Sequence, residues 1–326
     1  MDVVQLENQW SKLTGQQSSG FITLKIDAGC KPDLDLGLNK EKHRCLLLRL
    51  PVGVKSNFRG ETKENLKTLY NKKENCIVLE LLDEYYYSLF NDLIISLFYK
   101  IKDIEDNKEY ISVFVSTINK WAAFLANTRN NRLTEDVVKG LFGELTVLYE
   151  FLKTSSKLNI DSILNSWQGP YDANTDFIFD DKNIEVKTKS MNSPEVKISS
   201  EYQLDDELGK SLELTVVSVE IDFNSTSTLE SLINLIRSRI LELSGDLSIL
   251  LEALAQKSLF SSNLKEYNNY SFTLKQHDTF DCNLIIDSEI VFPRLMKSQL
   301  PENIGGVKYS INLAELNNFI IKQKMF

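Results

Sequence analysis

Apolar residues recur at Leu89, Leu93, Leu97 and Ile101, a spacing of four that keeps them on one helical face and predicts a helix over 85–102. Related spacing predicts helices over 3–13 and 110–127, whereas short apolar runs at 21–26, 45–50 and 76–82 suit strands. The Tyr85, Tyr86, Tyr87 cluster stands at a helix start and is expected to pack inward. Charged residues 102–109 read as a solvated turn, and the polar run 128–132 as a junction between two regions. Beyond it, Thr134 followed by Glu135 and Asp136 reads as a cap and an acidic first turn, opening a helix over 134–154. Its core stripe is read as Val137, Leu141, Leu145, Leu148 and Leu152. After a loop with Trp167, Gly169 and Pro170, strands are predicted over 175–179 and 184–190 with a turn between them. A buried strand over 213–223, helices over 229–243 and 247–259, and further strands over 270–284 complete the pattern. The expected fold class is α/β. The expected division is an accessory α/β region over 1–128 and a region over 129–326 that carries the chemistry.

Composition narrows the function classes. With 326 residues, 42% hydrophobic and 25% charged, 13 Gly and 6 Pro, the chain has the make-up of a folded protein. Its longest apolar runs fall far short of the roughly 20 residues of a membrane helix, and its first residues lack a secretory pattern, so the expected setting is cytoplasmic with no membrane partner. Four cysteines without a CxxC pair and only two histidines give no recognisable zinc site, and the cysteines read as reduced core thiols. The same scarcity of histidine weakens any triad, and His277 with Asp278 reads as an edge-of-strand pair. A net charge of −9 argues against passive coating of nucleic acid. Contact with DNA is then expected through a local basic groove or with the help of another subunit.

The region over 175–190 carries a constellation. A two-residue turn at Asp181 and Lys182 would set Asp176 opposite Lys187 and Ile178 opposite Glu185. Asp176, Glu185 and Lys187 would then share one face, with Phe177, Phe179, Ile184 and Val186 on the other. Two carboxylates and an ammonium on one face suit Mg²⁺, with Mn²⁺ as a substitute, and Lys187 would orient a water or take its proton. Taken alone, D-x8-E-x-K also describes the charged face of a half-exposed strand. Glu144 adds weight, because it falls within the apolar face of helix 134–154, where a carboxylate needs a partner, a metal or an outward turn. Gly140 and Gly143 on that helix are expected to admit close approach of another backbone.

Helix with Glu144, strand with Asp176, hairpin into Glu185, Val186 and Lys187, then a helix with Gln203: this order resembles the PD-(D/E)XK nuclease superfamily, the fold of many restriction endonucleases. The strings GLFGEL (140–145), WQGP (167–170), TDFIF (175–179), IEVKTKS (184–190), ISSEYQL (198–204) and FPRL (292–295) resemble an uncharacterised bacterial family placed in that superfamily and associated with restriction and phage-defence gene clusters. The resemblance implies a restriction-endonuclease-like core, a mixed sheet flanked by helices. It further implies Asp176 and Glu185 as metal ligands, with the Val186 carbonyl as a further one, and Lys187 as the catalytic lysine. Glu144 would stand near the metal, and Gln203 would place the lysine or touch nucleic acid. Thr175 stands where Pro is named in the motif, a position that varies across the superfamily.

Among basic residues, Lys189 shares the face of Lys187, and Lys197 and Arg132 are the other nucleic-acid candidates; Arg129, Arg237, Arg239 and Arg294 read as surface charge by default. The expected function is Mg²⁺-dependent hydrolysis of DNA phosphodiester bonds within a restriction or phage-defence system, as a homodimer or with other subunits of that system. The alternative is a non-catalytic module that keeps the nuclease fold to bind nucleic acid or protein. A third reading, a small-molecule phosphoesterase, calls for an enclosed pocket in place of a groove.

Overall fold

The computed structural model of the chain describes residues 1–14, 20–54, 58–63, 65–127, 132–222 and 225–326. It divides into two units, Met1–Asn131 with Asp246–Asn263, and Arg132–Gly245 with Leu264–Phe326. In the first, α1 (Val3–Lys12) starts at Asp2, whose side chain accepts from Gln5 N while Gln5 reaches back to the Asp2 N–H. Six antiparallel strands follow: β1 (Ile22–Lys25), β2 (Asp33–Leu38), β3 (Arg44–Arg49), β4 (Thr62–Lys63), β5 (Leu66–Asn71) and β6 (Cys76–Leu81). They pair in the order β1-β2-β3-β6-β5-β4. Central β3 and β6 are buried on both faces, which is why they read as unbroken apolar runs. Helices α2 (Tyr87–Ile101) and α3 (Asn107–Asn127) complete the run.

Tyr85 departs from expectation. It is 82% exposed, because a short 3₁₀ turn precedes α2 and the buried stripe begins only at Leu89. Tyr87 packs its ring under the Arg44 guanidinium at 3.9 Å. All four cysteines are buried and unpaired, and burial pushes the Cys30 thiol up to about 11, away from reactivity.

The second unit opens with α4 (Glu135–Thr154) and α5 (Ile160–Ser166). Thr134 takes the N-cap backbone position of α4 but makes no side-chain cap bond. The buried stripe starts at Val138, since Val137 faces outward. Then come β7 (Phe177–Ile178), β8 (Lys182–Ser190), β9 (Glu195–Ile198), β10 (Ser211–Ile221) and α6 (Leu229–Glu242). Next, α7 (Leu247–Gln256) packs on α2, so a segment inside the range expected for the second region is grouped with the first unit. The second unit resumes with β11 (Phe272–Asp281), β12 (Ile285–Ile286), β13 (Ile290–Val291), β14 (Tyr309–Asn312) and β15 (Ile320–Met325).

Its main sheet is mixed, in the order β15-β11-β10-β8-β7, with β8 and β10 parallel and the other pairs antiparallel. Helix α4 lies against β8 on one face, its Phe142 and Phe151 meeting Phe272 and Phe177 at 4.9 and 5.6 Å. Leu212, Leu214 and Val216 of β10 look to the opposite face, where Val196 and Ile198 of β9, Ile311 of β14, Phe292 and Phe319 close an apolar cluster. The fold is therefore α/β with a mixed sheet, as expected, its large helices on one face and a small β9–β14 pair on the other. His277, in β11, lies inside the sheet between β10 and β15, so the edge position expected for it does not hold.

Candidate active site

The hairpin that places the acids turns one residue earlier than expected, which moves each cross-strand partner by two. Phe177 pairs with Ile184 and Ile178 with Asn183, and Phe179 N donates to the Lys182 carbonyl, so the turn residues are Asp180 and Asp181. Continued by one position past Phe177–Ile184, this register brings Asp176 opposite Glu185, not Lys187. A shift by two preserves the alternation of faces, so Asp176, Glu185 and Lys187 still share a side.

Past the Phe177–Ile184 pair the Asp176 side chain takes over at this edge of β8: its Oδ2 accepts from Val186 N at 2.8 Å. The Asp176 carbonyl in turn accepts from Gln168 N (2.7 Å) and Gly169 N (3.1 Å), which ties the loop after α5 to the strand.

Glu185 lies beside Leu214 across the parallel pair, on the face that carries the apolar cluster, and is 1% exposed. Lys187 Nζ stands 2.6 Å from its Oε1, and among the described residues no hydrogen-bond donor is directed at Oε2. Burial, and then the neighbouring Asp176 charge, raise the Glu185 carboxyl well above the ordinary range against the opposing pull of Lys187. A buried carboxylate with an unclaimed oxygen and acidic neighbours fits a hard cation better than it fits a closed structural ion pair. Among the described residues no group of three or more His, Cys, Asp or Glu side chains forms a ready metal cluster. A cation here would take Asp176, Glu185, the Val186 carbonyl and water, the kind of set Mg²⁺ accepts because it keeps several waters.

Gln203 Oε1 accepts from Lys187 Nζ at 3.0 Å and from Ser199 N at 2.7 Å. The helix expected around Gln203 is absent; residues 201–204 are a turn, and the side chain is held by that bond to Ser199 N. Glu144 of α4 is half-buried, and its Oε2 accepts from Trp167 Nε1 at 2.9 Å. Of the two helix glycines, Gly143 allows close approach, since a Cβ there would fall 1.8 Å from Thr188 Oγ1, whereas Gly140 has open space.

These groups line a groove of about 500 Å³ that runs from Asp136, Lys139 and Gly140 of α4, past Glu144, Asp176, Glu185 and Lys187, to Lys189, Lys197 and Gln203. Exposed Glu195, Lys197 and Ser199 form its outer wall, so it opens to solvent. Lys189 is engaged, its Nζ donating to the Ser193 carbonyl at 2.8 Å, and burial lowers its pKa. Arg132 is not in the groove wall; its guanidinium donates to the Glu266 carbonyl. Arg239 and Arg294 bond main-chain carbonyls and nearby acids, and Arg129 lies outside the described residues. Sequence reasoning assigned no role to Trp167 and Gly169; their signal was the WQGP string between predicted elements, which has no periodicity to interpret.

None of the described helices is long and apolar enough to cross a membrane. No curated protein and no solved structure matches the chain. A family model matches residues 6–314, nearly the whole chain, and this protein belongs to that family, described as "Putative PD-(D/E)XK family member, (DUF4420)".

Proposed function

We propose that the chain is a metal-dependent deoxyribonuclease that hydrolyses phosphodiester bonds of DNA as part of a bacterial restriction or phage-defence system. The observation that carries this reading is the buried Glu185 carboxylate, with one oxygen unclaimed by any donor among the described residues, beside Lys187 in a solvent-open groove. Asp176 and Glu185 would hold a Mg²⁺ or Mn²⁺ ion together with the Val186 carbonyl, with Glu144 beside it. Such an ion, when bound, supplies charge neutralisation at the phosphate and a more acidic water. Lys187 Nζ orients the attacking water, which forms the new P–O bond as the bond to the leaving oxygen breaks. Gln203 keeps that ammonium in place. Lys197, on the open wall, meets a flanking phosphate, a role for which Lys189 and Arg132 are less well placed because both are engaged elsewhere. Two copies, or a partner subunit, would be needed to cut both strands in one encounter.

The groove wall carries five acids and four lysines, and the whole chain is at −9, so its bare charge does not attract a polyanion. That observation favours a second reading, a binding module without catalysis. Conversion of supercoiled plasmid in Mg²⁺ or Mn²⁺ separates the two. Cleavage by the wild type that Lys187→Ala and Asp176→Ala both abolish is the expected result, with nicked product indicating one active site per encounter and linear product two. No cleavage, together with no calorimetric metal binding, would leave the binding module.

A further inference from the structure

The loop over Trp167–Pro170 touches both acids that approach the site from outside β8. Trp167, 1% exposed, spends its indole N–H on Glu144 Oε2 at 2.9 Å, although a buried donor of this kind is as readily satisfied by a main-chain carbonyl. Gln168 N and Gly169 N both bond the Asp176 carbonyl. At Gly169 a Cβ would fall 2.4 Å from Glu144 Oε2 and 2.8 Å from Asp176 Oδ1. Those two oxygens are therefore no more than about 5 Å apart, within a small side-chain adjustment of the roughly 4 Å that one Mg²⁺ spans between two oxygen ligands. No left-handed backbone dictates glycine here, since Gly169 is absent from the positive-φ positions. What excludes a side chain is the space the two carboxylates occupy.

We propose that Trp167 and Gly169 are positioning residues for the acidic cluster, Trp167 by fixing Glu144 and Gly169 by keeping open the space in which Glu144 and Asp176 converge toward a divalent cation. This deepens the nuclease reading and rests on it. Neither residue touches the reacting atoms. The atoms nearest a Cβ at position 169 are the ends of two side chains, so they give way and the fold survives, while the shared geometry that a cation needs is lost.

The test is calorimetric titration of the full chain with Mn²⁺, for wild type, Gly169→Ala, Trp167→Phe and, as the null site, Asp176→Ala. Melting temperature and plasmid cleavage are followed on the same samples. Gly169→Ala is expected to bind Mn²⁺ about 10- to 100-fold more weakly with its melting temperature within a few degrees of wild type, and its cleavage to half-saturate at correspondingly higher Mn²⁺. Trp167→Phe, which keeps an aromatic ring and loses the donor, is expected to move in the same direction by about ten-fold. Both variants titrating like a wild type that binds and cleaves would overturn the positioning role and leave the nuclease reading intact. A wild type that neither binds Mn²⁺ nor cleaves would overturn both. Should Gly169→Ala fail to fold, the Trp167→Phe titration decides.

Discussion

Gln203 joins two parts of the groove through one oxygen, which accepts a hydrogen bond from Lys187 Nζ and another from the Ser199 main-chain N–H. An amide can do this without carrying charge, so it aligns the ammonium beside its counter-charge Glu185 and adds no competing charge of its own. Removal of that acceptor in Gln203→Ala is expected to slow single-turnover plasmid nicking about 10- to 100-fold, the usual cost of an orienting partner, with little change in melting temperature. An unchanged rate would restrict Gln203 to holding the turn. At this scale much of the site was legible: the alternation of charged and apolar residues along IEVKTKS fixes which side chains share a face, and a one-residue error in the turn, which moves the register by two, left that intact. The bond from Trp167 to Glu144 was not legible, because it joins residues 23 apart through a loop with no repeat in its pattern. The charge state of Glu185 was also hidden, since it depends on Leu214 and its neighbours on a strand nearly thirty positions away.

Helix α4 shows how two glycines of equal helix propensity can serve different ends. A Cβ at Gly143 would drive into Thr188 of β8, whereas one at Gly140 meets nothing within 4 Å. Gly143→Ala is therefore expected to destabilise the protein by about 1–3 kcal/mol through overpacking, and Gly140→Ala to stabilise it by about 0.4–1 kcal/mol through helix propensity and a less free unfolded chain. Urea denaturation of the two variants beside the wild type reads both signs at once, and equal effects would contradict the packing at Thr188. The asymmetry escaped the sequence because both positions lie on the sheet-facing side of the same helix. Strands divided in a similar way. The apolar runs that became β3, β6 and β10 were plain, while β9 and β15, short or largely polar, passed unnoticed because each buries only part of one face. The turn that replaces the expected helix at Gln203 is held by side-chain bonds, which periodicity cannot reveal.

At the scale of the whole chain, the amphipathic pattern over 247–259 announced a helix but not which unit would bury it, because an apolar stripe records that a face is covered and not by what. Its partner is α2, and the pairing carries a charge with it. Glu252 is buried in α7 with Lys100 Nζ and Lys120 Nζ each at 2.7 Å, and the Ser96 hydroxyl donates to it at 3.3 Å. Burial alone would raise its carboxyl, but the two ammonium groups outweigh it and hold the carboxyl below its ordinary value near 4.5. A depressed carboxylate favours the folded state fully above that ordinary value, and the contribution is lost as pH falls through the lower folded value. Glu252→Gln is therefore expected to cost about 1–2 kcal/mol at neutral pH, a figure moderated because both lysines remain partly solvated. The difference between mutant and wild type should shrink once pH drops below the ordinary carboxylate value. Urea titrations at pH 7 and at successive steps below pH 4.5 test the sign: a gap that stays constant with acid would mean that Glu252 stabilises the first unit by packing and not by its charge.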